Sequence, residues 1–227
     1  MSELHLTAEE IRVLACLIEK QVTTPEYYPL SLNALVAACN QKNNRDPVVS
    51  YSEDLVTLAL DGLREKHLAS MISTAGSRVP KFKHMFTETI GLDEKDVAIL
   101  CELMLRGPQT PGELRNRADR LCTFDDPADV EKVLDGFLTR PQGALVVKLS
   151  RQPGQKECRF AHLLSGTPAF DIAAVTESAP SGTPAPSLLD RLSRLEVEVG
   201  VLKGHVEHLQ SQLSPLLGDS PAPPKSG

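Results

Sequence analysis

The chain has 227 residues, 41% of them hydrophobic and 24% charged, with a formal net charge of −6. That length can bury one or two ordinary cores, and no stretch approaches the ~18 consecutive apolar residues of a membrane span. Residues 1–90 carry 9 basic and 11 acidic side chains, residues 91–165 carry 11 and 12, and the remainder carries 4 and 7. No region therefore has the basic excess of a strong non-specific nucleic-acid binder.

The start, Met-Ser-Glu-Leu-His, has neither a basic flank nor an apolar run, so no secretory leader is read and a cytoplasmic protein is expected. The five cysteines, at 16, 39, 101, 122 and 158, form no C-x-x-C pair. They read as reduced thiols used as small core residues.

An architectural unit occurs twice. Ile11, Leu14, Ala15 and Ile18 recur as Val97, Leu100, Cys101 and Met104, and Thr24-Pro25 recurs as Thr110-Pro111, all displaced by 86 residues. Leu60-Asp61-Gly62-Leu63 returns as Leu134-Asp135-Gly136-Phe137, displaced by 74. The second copy is thus expected to lack about a dozen residues between its second and third helices. A period near 80 residues is too long for a solenoid and implies two small domains in tandem.

In the first copy, Thr7 and Glu10 have capping-box spacing, so a helix is expected over 8–21. Thr23-Thr24-Pro25 stops it, because the residue before proline disfavours helix. Ser31 caps a short second helix through Leu32, Leu35, Val36 and Cys39. A polar loop, Asn40 to Pro47, follows, and Ser50 with Glu53 reads as a capping box opening a third helix over 50–66. Leu68–Ser73 and Lys81–Glu88 then read as a hairpin around Gly76-Ser77.

The second copy keeps this order. Asp93 caps its first helix, and Thr110, Pro111 and Glu113 supply cap, first-turn proline and box partner for its second. Asp126-Pro127 opens the third, over 126–140. A hairpin follows at Leu145–Ser150 and Lys156–Leu163. Three short helices followed by a β-hairpin is the winged-helix arrangement. The expected fold is mainly α with small β-hairpins: two tandem winged-helix domains, at 1–90 and 91–165.

Residues 166–187 hold four prolines and read as a flexible linker. Beyond it, Leu188, Leu192, Leu195, Val199, Leu202, Val206, Leu209 and Leu213 alternate by four and three. This pattern, over 188–214, fits a parallel coiled-coil homodimer, or else an amphipathic helix docked on its own chain. Residues 215–227 read as a disordered tail.

The run CLIEKQVTTPEYYPLSLNALVAACNQKNNRDPV at residues 16–48 resembles the signature of the YceH family of uncharacterised bacterial proteins. Supporting stretches are Gly76 to Val79 before Lys81, Arg106-Gly107, and Gln109 to Arg115. The resemblance spans about residues 4–166. It implies a tandem winged-helix fold in a bacterial cytosolic protein, and it brings no activity and no catalytic residues.

Three features bear on function. In the polar loop, Lys42 and Arg45 can pair with phosphates, while Asn44 can hydrogen-bond a base edge or a partner backbone; alternatively, such side chains fold back on their own loop. The first hairpin holds Arg78, Lys81, Lys83 and His84 with no acid from Gly76 to Met85, and the second holds Arg151, Lys156 and Arg159. Cationic hairpin tips suit phosphate backbone, although lysine also protects exposed edge strands. Against this, the third helix of each copy is net −2, with its acids near the end that would enter a major groove.

No catalytic or paired metal-ligand motif is present, so neither an enzyme nor a cofactor or metal is expected. Two roles are weighed, both without a membrane. The one preferred from sequence is a DNA-associated, transcription-regulator-like protein using the basic hairpins and the Lys42/Arg45 loop. The alternative is a protein-interaction scaffold within a larger assembly, without direct DNA binding.

Overall fold

The computed structural model describes residues 4–73, 79–151 and 157–166, all within one unit, Met1–Val175. The expected linker beyond Gly166, the heptad from Leu188 to Leu213 and the tail at 215–227 lie outside the described residues. Its helices begin where sequence places caps. Thr7 and Glu10 form a reciprocal capping box on α1 (Ala8–Thr23), and Ser31 caps α2 (Leu32–Cys39). In the second copy Asp93 caps α5 (Glu94–Arg106), Thr110 and Glu113 box α6 (Pro111–Ala118), and Asp126 caps α7 (Pro127–Leu138).

The third helix of copy one, α3 (Glu53–Glu65), starts later than expected and is capped by Ser52 rather than Ser50. The cause is Asn40, whose side chain accepts from the Tyr51 amide at 2.7 Å and donates to the Tyr51 carbonyl at 2.9 Å. Both backbone groups are thereby held away from a helical ladder, and the first turn forms only beyond them.

Strands β2 (Ala69–Ile72) and β3 (Lys81–His84) form the first hairpin. Their sheet has a third member that the sequence did not predict, β1 (Leu30–Ser31), and the strand order is β1-β3-β2. The expected second strand ran to Glu88, but β3 stops at His84 and a short helix, α4 (Phe86–Ile90), follows. Phe86 is fully buried and Gly91 closes α4 in the left-handed conformation at φ 71°. In copy two, β4 (Val146–Lys148) pairs with β5 (Phe160–His162), and Gln109 bridges Phe160 much as Leu30 pairs with Phe82.

These pairings redraw the alignment of the copies. The α1 and α5 stripes are 86 residues apart, the caps Ser31 and Thr110 are 79 apart, and Leu60 and Leu134 are 74 apart. Thr110-Pro111 therefore answers Ser31-Leu32, not Thr24-Pro25, which ends α1 and opens a 3-10 turn at Pro25–Tyr27. Residues are missing from copy two at two connections, before and after its second helix, rather than at one.

One apolar core runs through both copies. Its centre is α1 against α5, each buried on all sides: Glu10 through Glu19 and Val97 through Leu105 are continuous buried runs. The pair meets at equivalent positions, where the Cys101 thiol lies 3.5 Å from the Ala15 carbonyl. Among the described residues no helix is long and apolar enough to cross a membrane.

Candidate functional site

The loop after α2 is a bolt between the copies. Arg45 is only 6% exposed, and its guanidinium contacts Glu19 at 2.5 and 3.0 Å and the Ala38 carbonyl at 3.1 Å. Arg120, from the loop after α6, reaches the same Glu19 at 2.5 Å and Glu102 at 2.6 Å. Arg106 lies 3.5 Å from Glu102 and also donates to the Asn44 side chain. Asp46 donates its amide to the Leu105 carbonyl at 2.9 Å, and Arg12 donates to the Pro47 carbonyl at 2.6 Å.

Glu19 and Glu102 are 1% and 0% exposed, so each requires its arginines. Burial alone raises the Glu19 carboxyl; bonds and charge from Arg45 and Arg120 outweigh it, and the net shift is downward. For Glu102 burial prevails over Arg120 and Arg106, and its carboxyl is raised.

Arg45 and Asn44 therefore face the interior junction, which corrects the expectation that they project toward a ligand. Lys42 stays exposed. His84 is buried and its ring lies 6.4 Å from that of Tyr28. Burial pushes it down to about 4, so at neutral pH it is an uncharged structural group rather than a phosphate contact. Arg159 is likewise committed: it donates to the Pro108 carbonyl at 2.7 Å and to Glu113 at 3.3 Å, clamping the turn before α6.

Lys81 and Lys83 share the outward, half-buried side of β3 and make no ion pair with a described residue; Arg151 is exposed. Arg78 and Lys156 lie outside the described residues. Of the expected cations, only Lys42, Lys81, Lys83 and Arg151 are thus seen available at the surface.

Sequence reading missed a groove between the start of α1 and the outer side of α3. It encloses about 290 Å³ and is lined by Thr7, Glu9, Glu10, Leu55, Leu58, Ala59, Asp61, Gly62 and Glu65. Leu58 is 70% exposed. Glu10 is bound to Lys66 and Asp61 pairs with Arg64 at 2.9 Å, whereas Glu9 and Glu65 make no ion pair with any described residue. A Cβ at Gly62 would run into the Glu10 carboxylate, which would have to shift. The signal was present in the sequence: Leu58 sits off the buried stripe of Val56, Ala59, Leu60 and Leu63.

A family model described as "Protein of unknown function, DUF480" matches residues 6–155. A UPF0502 protein of Aeromonas hydrophila is 48% identical over 222 residues, covering 95% of this chain and all of the relative. A UPF0502 protein of Geobacter sulfurreducens is 50% identical over 203 residues, covering 88% and 91% of the two chains. One of Saccharophagus degradans is 45% identical over 222 residues, covering 92% and 99%.

Proposed function

The chain belongs to the DUF480 family of bacterial UPF0502 proteins, and from its geometry we propose a tandem winged-helix adaptor that docks other proteins and catalyses no reaction. Its three-helix-plus-hairpin copies have the winged-helix element order, and α3 and α7 occupy the place of the helix that enters DNA in winged-helix readers. The observation that carries the reading is the surface of α3. It presents Glu53, Asp54, Asp61 and Glu65 around an exposed Leu58. Carboxylates facing phosphates repel, whereas an exposed leucine in an acidic rim suits a protein partner.

The cations expected to meet DNA argue the same way, since Arg45 and Arg159 are spent on internal carboxylates. Association of two chains through the heptad at 188–214 would double the docking surface; sedimentation of the chain with and without 188–227 measures it. Monomer mass for both species contradicts it.

A DNA-associated role is the second reading, favoured by Lys81 and Lys83 on one side of β3. Titrating duplex DNA at two salt concentrations separates the two. The adaptor reading expects weak binding that is unaltered by K81A/K83A. Tight binding with a steep salt slope, lost in K81A/K83A, transfers the function to DNA.

A further inference from the structure

We propose that the α1–α3 groove is a docking site for a cationic amphipathic helix of a partner protein. This rests on the adaptor reading above and names the kind of partner it takes. Its apolar lining comes from Leu55, Leu58 and Ala59, and acidic side chains line it from both helices. Glu9 stands on α1, and Asp61 and Glu65 stand one turn apart on α3.

The groove's size and shape select the class of occupant. At about 290 Å³ it falls at the bottom of the range for small-molecule sites, and its acidic rim lies open on the surface. It suits one or two leucine-sized side chains of a helix laid across it, with lysines or arginines reaching the rim. Nucleic acid is repelled by the same carboxylates, and two copies of this surface repel each other.

The second copy provides an internal control. The equivalent of Glu9 is Lys95, and the equivalents of Leu55 and Leu58 are Asp129 and Lys132. Lys95 pairs with Asp129 at 3.0 Å and lies 5.7 Å over the Phe124 ring, while Lys132 approaches Asp129 at 3.6 Å. The same location therefore carries ion pairs in copy two, whereas copy one presents Leu55 and Leu58 there beside Glu9, which makes no ion pair with a described residue. Placing an exposed Leu58 beside Glu9, which has no ion-pair partner among the described residues, gains nothing for folding; a cationic apolar helix satisfies both.

The test uses the full-length chain and a fluorescein-labelled helical peptide of about 15 residues, with leucines at i, i+3 and i+7 flanked by lysines. Anisotropy is expected to show saturable binding that weakens with salt and falls at least tenfold in L58K and in E9K/E65K. Both variants change exposed or rim residues, and an unaltered thermal transition confirms that they fold. The leucine peptide with glutamates in place of lysines is expected not to bind. Absent binding, equal binding of the glutamate peptide, or equal binding by L58K overturns the groove assignment.

A self-associated species that L58K dissociates overturns it in favour of a second copy of the chain. The DNA titration of K81A/K83A reports on the adaptor reading separately, so failure of the groove and failure of that reading are distinguished.

Discussion

At equivalent places on α1 and α5 stand Glu9 and Lys95, and at equivalent places on α3 and α7 stand Leu55 and Asp129. Copy two joins its pair at 3.0 Å, and copy one has a groove there. The hairpins differ in the same sense. Arg159 clamps the α5–α6 turn through Pro108 and Glu113, while its counterpart Lys81 makes no ion pair with a described residue. Duplication thus supplies two similar frames that differ at these places: copy two spends Lys95 and Arg159 on ion pairs of its own, whereas their counterparts Glu9 and Lys81 make none with a described residue. On the adaptor reading proposed above, the working surface lies on copy one.

That division depends on the buried junction, which is where the largest effect is expected. Glu19→Ala strands Arg45 and Arg120 inside the protein and should cost about 3–5 kcal/mol, seen as a fall in Tm on the order of 10 °C. A loss below about 1 kcal/mol would mean that the two copies do not rely on this junction.

Acidification comes next. His84 and His162 hold equivalent hairpin positions and both are pushed down by burial to about 4, from 6.5. The unfolded chain takes up protons on these rings first, so stability falls as pH drops from about 6.5 toward 4, by roughly 2–3 kcal/mol per ring. Glu19, whose folded carboxyl is lowered, loses its contribution at still lower pH; Glu102, raised, acts in the opposite direction. Denaturant midpoints across this range should flatten in H84Q/H162Q, and an unchanged slope would remove the histidines from the account.

Smaller effects separate the two third helices. Gly136 has open space where a Cβ would go, so Gly136→Ala should stabilise by about 1 kcal/mol. Gly62→Ala should forfeit that gain by displacing the Glu10 carboxylate, which holds Lys66 and the Thr7 amide. Equal urea midpoints for the two alanine variants would contradict the crowding at Gly62. The mildest expected change is a gain. Lys95→Glu with Asp129→Leu and Lys132→Leu transfers the groove's chemistry to α7 and should raise the peptide stoichiometry from one to two.

Much of the frame was legible because it is written locally. Thr7, Ser31, Asp93, Thr110 and Asp126 each cap the helix they precede, since a cap requires only a few adjacent residues. Strand β1 was not legible, because two residues carry no period and pair only with a strand some 50 positions away. The burial of Arg45 was hidden for a related reason: an arginine in an Asn-rich loop reads as exposed until its carboxylate is located. Glu19 and Glu102 were the missed clue, each embedded among apolar residues of helices buried on all sides. A carboxylate so placed needs a cation from elsewhere in the chain. Leu58 was visible as an apolar residue off its stripe, but a groove needs the neighbouring helix, and no pattern within α3 reports where α1 begins.

Hydrogen-exchange footprinting of the full-length chain with the leucine–lysine peptide addresses the asymmetry between the copies most directly. Protection is predicted at the start of α1 and along α3, with none along α7. Protection shared equally by α3 and α7, or confined to the hairpin bearing Lys81 and Lys83, would contradict the account.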